Sequence, residues 1–363
     1  MSVDVGIIGL AKSGKTTIFN ALTKGQASID STAPNIGVTR VPDPRLDKLA
    51  DLLHPKRLVF TEARYFDIGA PAKGPAKELG ISGQLLNQLS QVDALISVVR
   101  AFADDSIPHV EGSLDIERDI ANTNLELTFS DLTIIERRME RVSVSLKGAK
   151  PPERQALLRE QELLAGIKAD LEKEVPIREQ ALSPDTDRAI ASYQFLSAKP
   201  LLIVVNIGED QLPQATSLEA DLNSRYQRPG CRVITLCGKL EMELSQLDDS
   251  DAEAFRAEMG LKEPGPDRTI RASYELLRLI TFFTTASDEL KAWSIPDNTS
   301  ALKAAGKIHS DMERGFIRAE VISHNDLIAC GSLAEARKKG LLRLEGKNYV
   351  VRDGDVITFL FNV

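Results

Sequence analysis

The chain has 363 residues, of which 42% are hydrophobic and 27% are charged, and its formal net charge is −8. This length exceeds one small hydrophobic core and indicates two or three domains in an ordinary globular protein. The negative charge excludes a general nucleic-acid coat, so any contact with RNA would need a local basic patch.

Short apolar runs alternate with helical patterns in the first third of the chain, and two more apolar runs follow later. The runs predicted as strands are 3–9, 59–66, 94–99, 201–206 and 232–236, and the helices predicted in the first third are 16–23 and 84–91. Apolar strands that alternate with helices are typical of a parallel sheet covered on both faces.

The expected cellular compartment follows from features that the sequence lacks. The segment MSVDVGIIGL has no basic leader, and no apolar run approaches the roughly 18 residues of a membrane span. Cys231, Cys237 and Cys330 form no CxxC pair, which favours a reducing compartment without a zinc site. We therefore expect a cytoplasmic protein with no membrane partner.

Two long amphipathic helices are predicted from Asn124 to about Glu174, interrupted at KGAKPPERQ, and they indicate an antiparallel hairpin. A structural arm is the favoured interpretation, and a partner-binding surface stays open. The last segments, GFIRAEVI and NYVVRDGDVITFLFNV, alternate like half-buried strands with a turn at Asp353-Gly354. They predict a small separate α+β module.

A phosphate-binding loop is indicated by GLAKSGKTT, in which Gly9-x4-Gly14-Lys15-Thr16 lies between a strand and a helix. In such a loop the backbone N–H groups converge on phosphates at the positive end of the helix. We predict that Lys15 bridges the terminal phosphates in a catalytic role and that Thr16 offers its hydroxyl to Mg²⁺. The nucleotide-binding residues predicted in this loop are Gly9, Leu10, Ala11, Lys12, Ser13, Gly14, Lys15, Thr16 and Thr17.

Asp67 follows the apolar strand ARYF and is the candidate for a second carboxylate on the magnesium side. It opens the sequence DIGA, whereas GTPases carry Asp-x-x-Gly, so Ala70 stands where glycine is expected. Alanine still has a backbone N–H for the terminal phosphate, so nucleotide binding could survive while switching suffers.

Base recognition is predicted at NIGE, which follows the strand LLIVV in the slot where GTPases carry Asn-Lys-x-Asp. Asn206, Ile207 and Glu209 are the predicted residues, and Ile207 with the longer Glu209 argues against strict guanine selection. The later segment TLCGK occupies the place of the loop that backs the base. Its predicted nucleotide-binding residues are Cys237, Gly238 and Lys239.

Together with other segments along the chain, these motifs resemble the Obg-like ATPases of the YchF family over almost its whole length. The segments that carry the resemblance are PNIGV, VPDPRLDKLA, HVEGSLDIERDIANTNLEL, NIGE, GPDRTIRASYELLRLITFFT, KAWSI, AAGKIHSDMERGFIRAEVIS and LRLEGKNYVVRDGDVITFLFNV. The resemblance implies an α/β P-loop NTPase fold, with a Ras-like G domain over residues 1–280, a helical hairpin inserted at about 124–197, and a β-grasp (TGS) domain over 281–363. It also implies slow, Mg²⁺-dependent hydrolysis of ATP in preference to GTP, and association with ribosomes.

Further residue roles come from the resemblance alone. It implies that His109 acts catalytically on the attacking water, and the alternative is that His109 packs or caps its loop. It implies Ser31 as a switch I ligand of Mg²⁺, with Thr32 beside it. Pro71 keeps the apolar residue that the family carries where Ras-like GTPases have glutamine.

The sequence departs from the family around the phosphates. Ala11 and Lys12 replace a Pro-Asn pair, while Ala70, Glu78 and Ser82 stand at glycine positions of switch II. In related proteins that use potassium, an asparagine at the position of Lys12 helps to hold the ion. We hypothesise that the Lys12 ammonium takes the place of that cation, and the alternative is that Lys12 points into solvent.

Two other functions remain open on the sequence: a GTP-specific GTPase, and a slow or non-hydrolysing ribosome- or RNA-binding scaffold that senses nucleotide. DNA is not an expected partner. Basic residues near the C-terminus could contact ribosomal RNA, or they could be ordinary solvated charge. These are Lys303, Lys307, Arg314, Arg318, Arg337, Lys338 and Lys339.

Overall fold

The computed structural model describes residues 3–25, 27, 35–68, 83–286 and 288–362. The chain divides into two compact units, each built from discontinuous segments. The first unit combines 3–38 with 64–269, and the second combines 39–63 with 270–363. The short segment 39–63 therefore belongs with the C-terminal unit, although the sequence places it inside the predicted N-terminal domain.

The described strands, numbered in chain order, are β1 (Val3–Ile8), β2 (Asn35–Arg40), β3 (Arg57–Val59), β4 (Glu62–Asp67), β5 (Ala94–Arg100), β6 (Leu201–Asn206), β7 (Cys231–Leu236), β8 (Leu279–Ala286), β9 (Glu289–Pro296), β10 (Phe316–Ser323), β11 (Arg343–Glu345) and β12 (Asp355–Phe361).

The described α-helices are α1 (Lys15–Thr23), α2 (Pro44–Leu53), α3 (Gly83–Ser90), α4 (Ile116–Ser145), α5 (Pro151–Leu171), α6 (Pro184–Ile190), α7 (Ala215–Tyr226), α8 (Gly238–Leu244), α9 (Asp249–Glu258), α10 (Gly265–Leu276), α11 (Ala301–Ile308), α12 (Ser310–Arg314), α13 (His324–Cys330) and α14 (Leu333–Lys338). Within the described ranges, no helix has the length and apolar run that a membrane crossing requires.

The sheet of the first unit has the strand order β2-β4-β1-β5-β6-β7. The pairs β1–β5, β5–β6 and β6–β7 are parallel. Every residue of β5 and β6 is buried, which explains why these strands are mostly apolar instead of alternating; Ser97, Arg100 and Asn206 are their polar residues. Because parallel strands end at one edge, this sheet brings the residues after β1, β5 and β6 together, and the parallel pairing predicted for these strands is confirmed.

The predicted hairpin corresponds to α4 and α5, which pack through Ile135, Leu164 and Ile167. Helix α4 begins at Ile116, earlier than the predicted Asn124, because the Asp115 carboxylate accepts a hydrogen bond from the backbone N–H of Arg118 and caps the helix.

The sheet of the second unit has the order β11-β10-β12-β8-β9-β3 and is mixed. The strand predicted over 59–66 is in fact two strands. Strand β3 pairs in parallel with β9 in this second sheet, whereas β4 belongs to the first sheet. Helix α2 packs its Leu46 and Leu49 against Phe283 and Leu290, so one face of the second sheet is covered by the segment 39–63.

Candidate functional site

The predicted phosphate loop joins the end of β1 to α1, and two of its glycines occupy backbone conformations that exclude side chains. Gly9 has φ 143°, and a Cβ there would lie 2.4 Å from the carbonyl oxygen of Val98. Gly14 has φ 92°, and a Cβ there would lie 2.2 Å from Nδ2 of Asn206. Glycine is thus required at both ends of the loop, by conformation and by space.

Lys15 opens helix α1, and its side chain is buried with only 8% of the residue exposed. Its Nζ donates hydrogen bonds to the carbonyl oxygens of Gly9 and Leu10, at 3.0 and 2.8 Å. Burial lowers the pKa of Lys15 from 10.5 to about 8, although the charges of Asp67 and Glu126 oppose this change. An anion that took over the two carbonyl contacts would restore the charged form.

The other loop residues differ in exposure. Ala11 and Lys12 are exposed, Ser13 is buried, and Leu10 and Thr17 are half-buried. Lys12 has φ 63°, a left-handed conformation that lysine adopts much less often than asparagine does.

On the magnesium side, Thr16 Oγ1 donates a hydrogen bond of 2.8 Å to Oδ2 of Asp67. Asn35 Nδ2 donates to the same carboxylate oxygen at 3.3 Å. The other oxygen, Oδ1 of Asp67, is buried and has no hydrogen-bond partner among the described residues. A buried carboxylate oxygen without a donor, next to a hydroxyl, is a set of hard oxygen ligands that fits Mg²⁺.

The switch residues fall outside the described ranges. They are Ser31, Thr32, Ala70, Pro71, Glu78 and Ser82.

Asn206, the last residue of β6, connects the phosphate loop to the first residue of α8. Its Nδ2 donates to the carbonyl oxygen of Ser13 at 3.1 Å, and its Oδ1 accepts from the backbone N–H of Gly238 at 3.0 Å. Gly238 also packs tightly, since a Cβ there would lie 2.6 Å from Cδ1 of Ile18. The structure thus brings Asn206, Gly238 and the phosphate loop together, as the sequence predicts.

The remaining base-side residues differ in where their side chains lie. Ile207 and Cys237 are buried in the core beneath the sheet edge. Glu209 and Lys239 are exposed and lie opposite each other, with Oε1 and Nζ 3.7 Å apart. Only Glu209 and Lys239 of these four therefore present side chains to solvent at this end of the sheet.

His109 is held away from solvent by its own neighbours. Its Nε2 lies 3.0 Å from Oδ2 of Asp119, and both side chains are almost fully buried. Its Nδ1 accepts a hydrogen bond from the backbone N–H of Glu111 at 3.1 Å. Nδ1 is therefore hydrogen-bonded and Nε2 lies against a buried carboxylate, and none of the described contacts joins this ring to Lys15, Thr16 or Asp67.

The sequence interpretation missed two residues at the end of β5. The Phe102 ring approaches the loop, with Cε1 3.8 Å from the Cβ position of Gly14. Arg100 lies 4.4 Å from the centre of that ring and is 3% exposed. Its Nε donates to the carbonyl oxygen of Phe102 at 3.1 Å. The sequence feature that could have identified them is an arginine and an aromatic residue at the end of an apolar strand, because ligands bind beyond the carboxyl ends of parallel strands.

Comparison with protein families gives two matches. A family model described as a 50S ribosome-binding GTPase matches residues 4–133. A second model, YchF-GTPase_C, described as a protein of unknown function, matches residues 279–362.

Individual relatives are similar over the full length. The ribosome-binding ATPase YchF of Bacillus subtilis (strain 168) is 41% identical over 370 residues, and the alignment covers 100% of both proteins. The protein of the same name from Escherichia coli O157:H7 is 39% identical with the same coverage. The structure of the Schizosaccharomyces pombe YchF GTPase is 30% identical and superposes with a TM-score of 0.85 over 99% of this chain and 98% of that chain. This likeness in sequence and fold confirms the resemblance seen in the motifs, and the chain belongs to the YchF family.

Proposed function

We propose that this chain is a cytoplasmic, ribosome-associated P-loop ATPase that hydrolyses ATP, and GTP less well, to ADP and phosphate. The observation that carries the proposal is the hydrogen bond of 2.8 Å between Thr16 and Asp67 beside the buried Lys15, at the start of the helix that follows β1. The names of the full-length relatives, which are ribosome-binding ATPases, support the same function.

Mg²⁺ would be held by Thr16 and Asp67, with Ser31 as the switch I candidate, and when bound it neutralises charge on the phosphates. The backbone N–H groups of the loop and the ammonium of Lys15 hold the phosphates in line and stabilise the negative charge of the transition state. Asn206 holds the phosphate loop, at Ser13, in a fixed position relative to Gly238 of the predicted base-binding segment. The contacts of His109 with Asp119 and Glu111 favour the loop-packing alternative over direct action on water.

A GTP-specific enzyme is the second candidate, because the matching N-terminal model and the yeast structure both carry the name GTPase. Against it, Ile207 is buried where GTPases carry lysine, and Glu209 lies opposite Lys239 instead of standing free. Competition of ATP and GTP for one labelled nucleotide decides between them. We expect ATP to compete more strongly, and stronger competition by GTP would favour the second candidate.

Phosphate release from ATP tests the hydrolase against the non-hydrolysing scaffold. We expect slow steady-state turnover that Lys15→Ala abolishes, because the loop then loses its buried cation. Lys48→Ala is the matched control, since it removes an exposed lysine of α2, outside the nucleotide site. Turnover that persists in Lys15→Ala, or that is missing from the wild type with and without ribosomes, contradicts the ATPase.

Lys12 is exposed, and the hypothesis that its ammonium replaces a bound potassium ion can be tested directly. If its ammonium supplies this charge, turnover by the wild type is the same in sodium and in potassium. Lys12→Asn should then be the variant that potassium activates. A wild-type enzyme that potassium activates steeply would refute the cation hypothesis.

A further inference from the structure

The distal half of the helical hairpin is basic in a protein that is otherwise acidic. We call residues 137–160, the end of α4, the start of α5 and the turn between them, the hairpin tip. It carries seven arginines and lysines against three glutamates, in a chain whose net charge is −8. Such a local excess of positive charge attracts polyanions even when the net charge of the whole protein is negative.

The arginines of the hairpin tip are not neutralised equally. Arg138 is bound by both carboxylate oxygens of Glu160, at 2.6 and 2.9 Å, and the Tyr193 hydroxyl donates to that same carboxylate. Arg141 and Arg159 are exposed, and across the described part of the chain neither has a carboxylate within ion-pair distance. Two guanidinium groups are therefore left to face solvent with their full charge.

These two arginines line one concave surface. An open groove of about 670 Å³ lies between α4 and α5. Its polar lining is Arg138, Arg141, Arg159, Glu160, Ser192 and Tyr193, and its other lining residues are Ala156, Leu163 and Ala189. Its width comes from the two helices and from the turn at 191–193, and two hydroxyl-bearing residues and three arginines line it. Planar guanidinium groups match phosphate oxygens in a bidentate geometry.

Most of the basic residues noted in the C-terminal unit are paired with acidic residues, unlike Arg141 and Arg159. Four of the seven noted in the sequence have acidic partners: Lys303 with Glu313, Arg314 with Asp311, Arg337 with Glu320, and Lys338 with Glu335. Charge that is paired locally contributes little to attraction at a distance. The hairpin tip is therefore the stronger candidate for a polyanion contact.

We propose that the hairpin tip is a docking surface for the phosphate backbone of RNA, with Arg141 and Arg159 as its principal contacts, an inference that rests on the proposed association with ribosomes. RNA is favoured over an acidic protein because the unpaired charged groups of the groove, Arg141 and Arg159, are both guanidinium groups, and its one carboxylate, Glu160, is already bound by Arg138 and Tyr193. The centre of a stable protein interface is, in contrast, depleted of charge. The hairpin is then a partner-binding element as well as a structural arm.

The test compares Arg141→Gln/Arg159→Gln with the wild-type full-length chain. Affinity for a fluorescein-labelled RNA duplex is measured by anisotropy over a salt series, and binding to purified ribosomes is measured by sedimentation. We expect the double variant to bind both at least roughly ten-fold more weakly, and its slope of log affinity against log salt to fall by about one to two.

Two control variants accompany it. Arg141→Lys/Arg159→Lys keeps both charges and should retain the salt slope of the wild type. Lys303→Gln/Arg337→Gln removes the same charge from locally paired residues and should leave RNA affinity unchanged. ATP turnover without ribosomes should be the same in all four proteins, since none of these residues lies in the nucleotide site.

Unchanged RNA affinity and salt slope in the Arg141→Gln/Arg159→Gln variant overturn the proposal. Loss of ribosome binding without any loss of RNA affinity also overturns it, because the partner of the tip would then be a protein. Absence of ATP turnover in the wild type refutes the proposed function separately, since the RNA measurement does not depend on hydrolysis.

Discussion

Two opposing effects act on the protonation of the buried amine of Lys15. Burial stabilises the neutral amine, whereas phosphates require the charged form. In the structure the loop carbonyls of Gly9 and Leu10 hold the ammonium, and they occupy the contacts that phosphate oxygens would make. Nucleotide binding and protonation of Lys15 are therefore linked.

This linkage predicts a pH dependence. The pKa of Lys15 is about 8 in the structure, so the free protein loses this proton as the pH rises through that value. ATP affinity should be flat near neutral pH and fall above about pH 8, by up to roughly ten-fold for each pH unit. Titration calorimetry in two buffers of different ionisation enthalpy should detect proton uptake on binding above about pH 8.

Lys15→Arg is the control, because arginine stays protonated throughout this range. Any ATP binding that it retains should not weaken between about pH 7 and about pH 9. A wild-type affinity that is constant over the same range would contradict the linkage.

The role of Asn206 can be tested on its own, since its side-chain amide donates a hydrogen bond to Ser13 and accepts one from Gly238. Asn206→Ala removes two buried hydrogen bonds and should weaken ATP binding about thirty-fold, at about 1 kcal/mol for each bond. Asn206→Asp should bind no better than Asn206→Ala, because a carboxylate oxygen would then face the carbonyl oxygen of Ser13. Equilibrium binding of a fluorescent ATP analogue measures both, and wild-type affinity in Asn206→Asp would contradict the bridging role.

At the scale of elements, the helical hairpin is attached to the sheet through a buried carboxylate. Asp131 of α4 is fully buried and accepts hydrogen bonds from the backbone N–H groups of Leu196 and Ser197, at 2.8 and 2.7 Å. Arg178 donates to the carbonyl oxygen of Ser197 from the other side. These contacts fix the segment that leads from the hairpin into β6, the strand that ends at Asn206.

Burial raises the pKa of Asp131 from 3.8 to about 6, against the opposing effect of these hydrogen bonds. Between those values the folded chain keeps a proton that the unfolded chain has lost. The stabilising contribution is therefore full below about pH 4 and is lost as the pH rises through about 6.

Comparison with Asp131→Asn isolates this effect, since the other titrating groups are common to both proteins. We expect the unfolding free energy of the wild type, relative to Asp131→Asn, to decrease by up to about 3 kcal/mol between about pH 4 and about pH 6. Urea unfolding followed by circular dichroism measures it. A difference that does not change with pH, or that grows as the pH rises, would contradict the raised pKa.

The elements that were predictable from the sequence are those with one strong periodic signal. Strands β5 and β6 are apolar over runs of three to five residues, and the phosphate loop carries its glycines at the required spacing, so both followed from the pattern. Strand β3 has only three residues and continues almost directly into β4. Hydrophobic pattern alone could not separate them, because it does not record which sheet a strand joins.

The candidate site was predictable to the same extent. The roles of Thr16, Asp67 and Asn206 depend on strand order, and the structure brings them to one edge of the sheet. The contacts of His109 were not predictable, because its partner Asp119 belongs to the following helix and nothing in the spacing indicates that pair. Phe102 was missed because its place depends on the three-dimensional course of the loop.

For the molecule as a whole, the second unit is completed by an early segment of the chain. Strand β3 adds an edge to its sheet, and α2 covers one of its faces. Arg45 of α2 pairs with Asp353, Nη1 to Oδ2 at 2.6 Å, in the turn before β12. The C-terminal unit therefore depends on residues that precede it by more than half of the sequence.

This dependence predicts the behaviour of fragments. Residues 270–363 alone would expose Phe283, Leu290 and Ile322, and loss of this apolar burial should leave the fragment without a cooperative melting transition. The same fragment joined through a flexible linker to residues 39–63 should fold. Thermal melting followed by Trp293 fluorescence compares the two, and a cooperative transition in the shorter fragment would contradict the account.

Steady-state phosphate release is the most direct test of the central claim that the loop at Lys15, with Thr16 and Asp67, makes this chain a ribosome-associated ATPase. ATP and GTP are compared side by side, with and without ribosomes, in the wild type and in Lys15→Ala. The account predicts turnover of ATP above that of GTP, a change in turnover when ribosomes are added, and none in Lys15→Ala. Equal release by wild type and Lys15→Ala, or release from GTP alone, would contradict it.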